Sequence, residues 1–423
     1  MNSISRLKHR MMEYDWGSRT EIPRLLGEKE PSAHPVAELW MGAHPKAPSL
    51  IETEGRWASL SDVIEKNPTD ALGRETAEKY SNELPFLLKI LAVEKPLSIQ
   101  VHPGKSEAEK GFERESEQGV PMEARHRNYR DKNHKSEIIC AISQFSMMAG
   151  FRSLDDLRWH VRRYCPDSLK NQLSLLENHP APLGLKRFYH SVMTLSPQAG
   201  GRVIDEAASR ANAEADSAGR WIARLSESNP MDMGVLGPIF FNLVSLEPGE
   251  AAYIPWGTPH SYLMGLGAEL MTNSDNVARG GLTSKAMDIP EFLRIMDWGK
   301  IASPEMEMAS ETGAETDSRQ SSGFKIIRPE KISDCERIYP TDSKEFLLSC
   351  IDCSESQTQI ATSSKSVEIL FCVEGMAVII ETDSRRVMRL SKGESAIVPG
   401  CVERYSITGP AKIYKASVPT FIS

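Results

Sequence analysis

The sequence has no apolar run approaching the roughly 20 residues needed to cross a bilayer. Its best stretch, Leu84 to Val93, is interrupted by Lys89. The N-terminal basic residues have no apolar core behind them, so the chain reads as one without a secretory signal. Cysteine is scarce, seven in 423 residues, odd in number and without regular spacing. That pattern argues against a disulfide framework and for a reduced, cytoplasmic setting. A zinc ribbon needs two Cys-x-x-Cys pairs. Here Cys350 and Cys353 form one and no second exists, so both read as apolar strand residues. Neither sign of charge dominates: 50 Lys and Arg against 58 Asp and Glu leave a net charge of -8. This argues against a nucleic-acid surface built on bulk charge.

At about 100–200 residues per domain, the length implies two or three domains. The first 60 residues carry turns and aromatics, including Tyr14-Asp15-Trp16-Gly17 and Ala37-Glu38-Leu39-Trp40-Met41-Gly42. Ser59 and Asp62 have the spacing of a cap for a short helix ended by Pro68, with a second helix from Thr69 to Tyr80. Two strands follow between Leu84 and His102, split near Glu94-Lys95-Pro96. Leu154, Leu157, Val161 and Tyr164 then recur at helical spacing behind Ser153 and Asp156. Ile204, Ala207, Ala208, Ala211 and Ala215 make a second apolar stripe. Residues 153–230 therefore read as a helical block inserted between β-rich regions. Strands return at Ile239–Leu246 and Ala251–Ile254, a helix at Pro290–Trp298, and a linker at Ala309–Gly323. Further strands follow at Phe346–Ile351, Val367–Val373, Ala377–Glu381, Ser395–Val398 and Lys412–Ala416.

One element repeats. Gly249-Glu250-Ala251-Ala252-Tyr253-Ile254-Pro255-Trp256-Gly257 resembles Gly393-Glu394-Ser395-Ala396-Ile397-Val398-Pro399-Gly400, each reading as turn, short strand, Pro-Gly turn. That element recurs in cupins, small jelly-roll barrels. The first copy runs on to His260, the second to Cys401-Val402-Glu403-Arg404 without a histidine. The expected fold is mainly β with an inserted α-helical domain and two cupin-like jelly rolls, a bicupin. Residues 1–152 and 231–300 form the catalytic cupin, 153–230 the helical domain, and 301–423 a degenerate cupin.

The stretch most in need of a partner is Tyr129 to Ile139, YRDKNHKSEII. Read as strand from His134 on, it puts Lys135 and Glu137 on one face, aimed into an interior. Buried charge costs several kcal/mol unless paired, so Glu137 needs a cation or a metal. Leu97 to His102 alternates so that Ser98, Gln100 and His102 share a face. With His260 after its Pro-x-Gly turn, Gln100, His102 and Glu137 make a set of two nitrogens and two oxygens. Such a set suits zinc, with manganese or iron as alternatives.

The same residues resemble a family. Tyr129-Arg130-Asp131-Lys132-Asn133-His134-Lys135-Ser136-Glu137 is similar to the Y-x-D-x-N-H-K-P-E signature of type I mannose-6-phosphate isomerases. His260-Ser261-Tyr262-Leu263 through Glu269, then Ser274 to Lys285, resembles that family's second signature. Pro96 to Pro103 and Ala37 to Gly42 are similar to it too, and the likeness runs from about Tyr14 to Asp288. Ser136 and Ser284 replace prolines, Gly280 replaces the usual alanine, and Ala268 stands where a larger apolar residue is typical.

The resemblance implies a zinc enzyme, with one zinc per subunit; together with the composition, the expectation is a cytoplasmic monomer with no nucleic-acid or membrane partner. It would interconvert mannose 6-phosphate and fructose 6-phosphate through a cis-enediol, serving activated-sugar and glycan synthesis or mannose catabolism. It maps metal ligands onto Gln100, His102, Glu137 and His260, and the catalytic arginine onto Arg279. Lys135 and Asp275 join Arg279 as catalytic candidates, and Ser98, Lys89, Lys285 and Trp16 as substrate-binding ones. Lys135 is the favoured proton carrier, with His134 a rival that strand alternation turns away from Glu137. Arg279 is favoured as electrostatic stabiliser, because a guanidinium keeps its proton. Lys285 is the first choice for the phosphate, with Ser98 and Lys89 assisting. Two other readings compete: a sugar-binding bicupin without turnover, and an iron-dependent oxygen-using cupin. The second would prefer a His-x-His pair near Glu137, and the sequence lacks one there.

Overall fold

The computed structural model describes residues 1–53, 55–212, 216–301, 323–354, 358–362 and 366–419. Two large antiparallel sheets account for most of it, of 11 and 12 strands. The path through the 11-stranded sheet runs Lys325–Ile327, Ala251–Ile254, Glu137–Ala141, His260–Thr272, Phe86–Val93, Glu38–Met41, Arg10–Met12. Its central strands are apolar almost throughout. Phe86–Val93 and Glu137–Ala141 have every residue buried, as strands covered on both faces require.

The His260–Thr272 strand closes this barrel. Its first half pairs with Phe145–Phe151, and His260 also faces Gln100. Its second half pairs with Phe86–Val93 and Glu137–Ala141. The change of partner falls at a register shift between Tyr262 and Met264, next to Gly265 at φ 131°. A β-carbon at Gly265 would meet the Gln144 carbonyl at 2.6 Å, so the bend depends on glycine.

The 12-stranded sheet follows the same plan. Glu368–Glu381 pairs with Ala411–Ser417 and Ser395–Val398 at one end, and with Val387–Ser391 and Arg404–Thr408 at the other. It bends at Gly375, φ 69°. The two strands expected over Val367–Val373 and Ala377–Glu381 are thus one bent strand. The sequence repeat is a structural repeat as well. Gly249 N donates to Ala141 O and Gly393 N to Cys372 O, both at 2.8 Å. The turns after each strand close alike, Thr258 N to Pro255 O and Val402 N to Pro399 O. One core runs between the sheets, with Ile138, Leu270 and Tyr253 beside Ile369, Leu348 and Tyr414. The N-terminal strand Ser5–Lys8 belongs to the second sheet, pairing Ser395–Val398 and Leu50–Thr53.

The inserted block is helical: Leu154–Tyr164, Lys170–Glu177, Leu183–Met193, Pro197–Ala211 and Ser217–Ser228. The expected cap holds, with Ser153 Oγ accepting from Asp156 N at 3.2 Å. Leu157, Val161, Tyr164, Ile204, Ala207 and Ala211 are buried as their spacing requires, and Ala215 lies outside the described residues. This helical core packs on Ile99, Val101 and Ala278. It therefore backs the strands that present Gln100 and Arg279.

Several expectations need correction. The helix expected from Thr69 to Tyr80 is two, Pro68–Leu72 and Arg74–Lys79, parted by Gly73 at φ 84°. Pro68 is the first residue of the former, where its missing N–H costs nothing. The strand expected from His134 starts at Glu137, because side-chain bonds to Asp131 and Asn133 hold the preceding residues in a loop. The linker at Ala309–Gly323 lies, up to residue 322, outside the described residues. The helix Lys105–Glu117 had no counterpart in the sequence reading. Its sequence KSEAEKGFERESE carries almost no apolar stripe, and its buried face is Ala108, Gly111 and Glu115. Cys350 and Cys353 are buried in different clusters, as strand residues three apart should be.

Candidate metal centre and active site

His102 follows the short strand Ile99–Val101, Glu137 opens one central strand and His260 opens another. Register brings them together: Glu137 pairs with Met271 and Ile254, and His260 with Gln100. All three are essentially inaccessible to solvent. The imidazole centroids of His102 and His260 lie 5.1 Å apart. Nε2 of His102 is 3.4 Å from Glu137 Oε1, and Nε2 of His260 is 3.1 Å from Oε2.

These close contacts are not hydrogen bonds. His102 Nε2, Glu137 Oε2 and His260 Nε2 have no hydrogen-bond partner among the described residues. Their other ring nitrogens are fixed, His102 Nδ1 on the Asn276 carbonyl at 2.8 Å and His260 Nδ1 on the Thr258 carbonyl at 3.0 Å. A carbonyl only accepts, so both rings carry hydrogen on Nδ1 and turn a lone pair inward from Nε2. Burial, reinforced by Lys135, drives the His102 pKa down to about 4, so the ring is neutral and fit to ligate. Glu137 remains ionised: burial opposes its charge, but the Lys135 ammonium holds its pKa well below the usual range. Ligands about 2.0–2.1 Å from one ion sit about 3.3 Å from each other in a tetrahedral arrangement. The observed spacings match. His102, Glu137 and His260 could therefore hold a metal ion. Gln100, the fourth expected donor, stands beside His260 and Arg279 in the ladder.

The second barrel provides the contrast. Lys415 Nζ lies 2.7 Å from Glu336 and 3.6 Å from Glu368, and Ser349 and Tyr405 hydroxyls donate to the same carboxylates. Its buried charges satisfy each other, and the chain has no histidine after His260.

The loop before Glu137 is clasped to the loop before Arg279. Asn276 Oδ1 accepts from Arg130 N at 2.7 Å, and its Nδ2 donates to the carbonyls of Asp131 and Asn133. Ser274 Oγ and Asp275 N donate to the Asp131 carboxylate. From the Lys105–Glu117 helix, Glu115 accepts from Asn128 N and Tyr129 N. Gly111 lets the Tyr129 ring lie flat on that helix, since a β-carbon would meet it at 2.4 Å. Ser136, where proline was expected from the resemblance, is buried and accepts from Trp256 N at 3.2 Å.

Lys135 Nζ lies 2.8 Å from Glu137 Oε1. His134, by contrast, turns to Glu345, just before the Leu347–Cys353 strand of the second sheet, 3.3 Å away. Lys89 Nζ is taken by Glu269 at 3.0 Å and lies over the Trp40 ring. Asp275 Oδ1 is 3.6 Å from His44 Nε2. Trp16 stacks on Tyr14, Ser98 is half-buried beside the Ile99–Val101 strand, and Lys46 bridges Tyr14 and Trp40. Arg279 is half-buried, and burial and then Arg130 lower its pKa. Lys285 extends into solvent, yet burial of its nitrogen, followed by the charges of Arg279, Lys46 and Arg130, lowers its pKa. Four cations thus lie within electrostatic reach of one another, and Arg279 ties them to the metal donors through its pairing with Gln100. Arg279 and Lys285 are legible in the sequence; Arg130 and Lys46 are not, and the aromatic residues Trp40 and Tyr14 are the one local signal for Lys46. Nor is Asn276, whose role depends on a contact between distant loops.

Comparison with known proteins agrees with this geometry. The model for the phosphomannose isomerase type I catalytic domain matches residues 4–154, and that for the mannose-6-phosphate isomerase cupin domain matches residues 336–418. The chain is 36% identical over 397 residues to the mannose-6-phosphate isomerase of Salmonella typhimurium, covering 93% of this chain and 94% of that protein. It is 34% identical over 412 residues to that of Escherichia coli, covering 97% and 98%. The crystal structure of the Salmonella typhimurium enzyme bound to fructose 6-phosphate and zinc superposes with a TM-score of 0.85 at 34% identity, covering 98% and 99%.

Proposed function

The chain belongs to the type I phosphomannose isomerase family, and from that premise we infer a zinc-dependent aldose–ketose isomerase that interconverts mannose 6-phosphate and fructose 6-phosphate. The observation that carries the reading is the triad of buried donor atoms on His102, Glu137 and His260, unpartnered among the described residues, together with a group of mutually interacting cations, Arg279, Lys285, Arg130 and Lys46. Gln100 is assigned as the fourth ligand, on its ladder position opposite His260. When bound, zinc supplies Lewis-acid stabilisation of the oxygen charge that develops as a proton leaves the carbon next to a carbonyl.

The protein's own groups have the following assigned roles. Lys135 carries the proton between C1 and C2, its reach fixed by the contact with Glu137. Arg279 orients the open-chain sugar and balances charge on the cis-enediol. Asp275, held through its backbone by Asp131, binds or relays from a sugar hydroxyl. Lys285 takes the phosphate, with Ser98 assisting and Trp16 on the wall, while Lys89, engaged by Glu269, supports the site from behind. The domain division follows the same logic: 1–152 with 231–300 supplies most of the catalytic barrel, 153–230 its helical support and 301–423 most of the second barrel, while Ser5–Lys8 and Leu50–Thr53 cross to the second sheet and Lys325–Ile327 to the first. One chain supplies every donor and cation invoked, which supports action as a monomer. All seven cysteines are free, which supports a cytoplasmic setting.

A coupled assay for fructose 6-phosphate formation, run with metal analysis of the same preparation, tests the reading. Turnover with about one zinc per chain is expected. Zinc binding without turnover would leave a sugar-binding protein instead.

A further inference from the structure

The loop that carries Lys135 is held from two sides. On one side the fastenings belong to the catalytic barrel: Asn276, Ser274 and the Asp131 carboxylate. On the other, the second sheet reaches across. Glu345, just before the Leu347–Cys353 strand, accepts from His134 Nε2 at 3.3 Å. Both side chains are largely buried, 18% and 20% exposed. Glu345 is itself fixed, its Oε2 accepting from Ser343 Oγ and Lys344 N, each at 3.1 Å. The Lys344 carbonyl in turn accepts from the Tyr80 hydroxyl. Burial opposes the charge on Glu345, but His134 and these donors bring its pKa to about 2, so a full carboxylate meets the ring.

The consequence lies one residue along. Lys135 follows His134 directly, and its own backbone anchor is a long bond, N to Pro103 O at 3.3 Å. With the His134 ring unheld, that long bond is left to fix the backbone at 134–135, and a shift there would take Nζ from its place 2.8 Å from Glu137. We propose that Glu345 is a positioning residue of the isomerase: by gripping His134 it sets where the Lys135 ammonium meets the sugar. This gives the barrel without metal ligands a part in turnover. The proposal rests on the isomerase reading above and deepens it.

The test uses the full-length, zinc-loaded enzyme with Glu345→Ala, Glu345→Gln and His134→Ala. A displacement of about 1 Å costs up to about a hundredfold in rate. Glu345→Ala is expected to lower kcat about ten- to a hundredfold while KM and zinc content stay at wild-type values. Glu345→Gln still accepts from Nε2–H and should regain most of that loss, which a change in general packing would not produce. In the His134→Ala background, Glu345→Ala should add nothing, because the two act as one unit. Wild-type kcat in Glu345→Ala, additive losses in the double variant, or equal losses in the Ala and Gln variants would each overturn the proposal. Should Glu345→Ala not fold, Glu345→Gln and Glu345→Asp carry the comparison: a fall in kcat for Asp with recovery in Gln supports it, and wild-type kcat in both overturns it. An inactive wild-type enzyme would instead sink the isomerase reading itself.

Discussion

Lys89 and Glu269 face each other across two neighbouring antiparallel strands, Nζ 3.0 Å from Oε2, with both side chains withdrawn from solvent. Lys89 is the charged residue that breaks the apolar run FLLKILAV. Burial disfavours its charge, but Glu269, Glu38 and Glu137 outweigh that and hold its pKa above the ordinary range. The pair therefore forms part of the wall behind the metal donors.

Lys89→Ala should strand Glu269 as a buried, unpaired carboxylate. The expected cost is about 3–5 kcal/mol, read from urea unfolding. Replacing both partners, Lys89→Met with Glu269→Gln, should recover much of it. A Lys89→Ala protein as stable as wild type would show that water reaches the site.

His260→Ala and Glu137→Ala should each lose bound zinc and activity together, because each removes a buried atom, His260 Nε2 or Glu137 Oε2, that has no hydrogen-bond partner among the described residues. Elemental analysis after dialysis, alongside turnover, decides this. A full complement of zinc in both variants would move the metal elsewhere.

Lys285→Ala should raise KM for the phosphosugar about ten- to a hundredfold with kcat little changed, the loss of one charge-assisted bond of about 1.5–3 kcal/mol. Arg279→Ala should do the reverse, lowering kcat with zinc retained. Steady-state kinetics on both separate phosphate binding from charge balance in the reaction.

Gly280 stands where the resemblance leads one to expect alanine, and the reason is a neighbour. A β-carbon there would meet the Phe292 ring at 2.6 Å, and Phe292 is fully buried. Gly280→Ala should destabilise the protein by about 1–3 kcal/mol and, by shifting Arg279, lower kcat. Phe292→Leu in the same chain should relieve both. Thermal melts and kinetics on the single and double variants check this.

Acid sensitivity should begin in the metal-free protein below pH 6.5. Burial, then the charge of Lys8, takes the His9 pKa from 6.5 to about 4. Between these values the unfolded chain binds a proton that the folded one refuses, so stability present above pH 6.5 is lost as pH falls toward 4. His44, also lowered to about 4 by burial, acts in the same direction. Urea midpoints at pH 7.5 and 5 should differ less in His9→Leu than in wild type.

Much of this was written in local sequence. The alternation of Leu97 to His102, the Pro-x-Gly turn before His260 and the apolar run after Glu137 are short-range patterns, because strand faces repeat every two residues. They were enough to name His102, Glu137 and His260, which the fold brings within 4.8 Å, and to find the repeated turn–strand–turn unit. The helical block was legible for the same reason, from the spacing of Leu157, Val161 and Tyr164. The charge-rich Lys105–Glu117 helix was not, since its packing depends on Glu115 and Gly111 meeting a distant loop. Tertiary structure also chose the partners: Glu269 for Lys89, Asn276 for the loop before Glu137, Glu345 for His134. Each joins residues more than a hundred positions apart, and strand order and register, which no local window contains, decide which side chains meet.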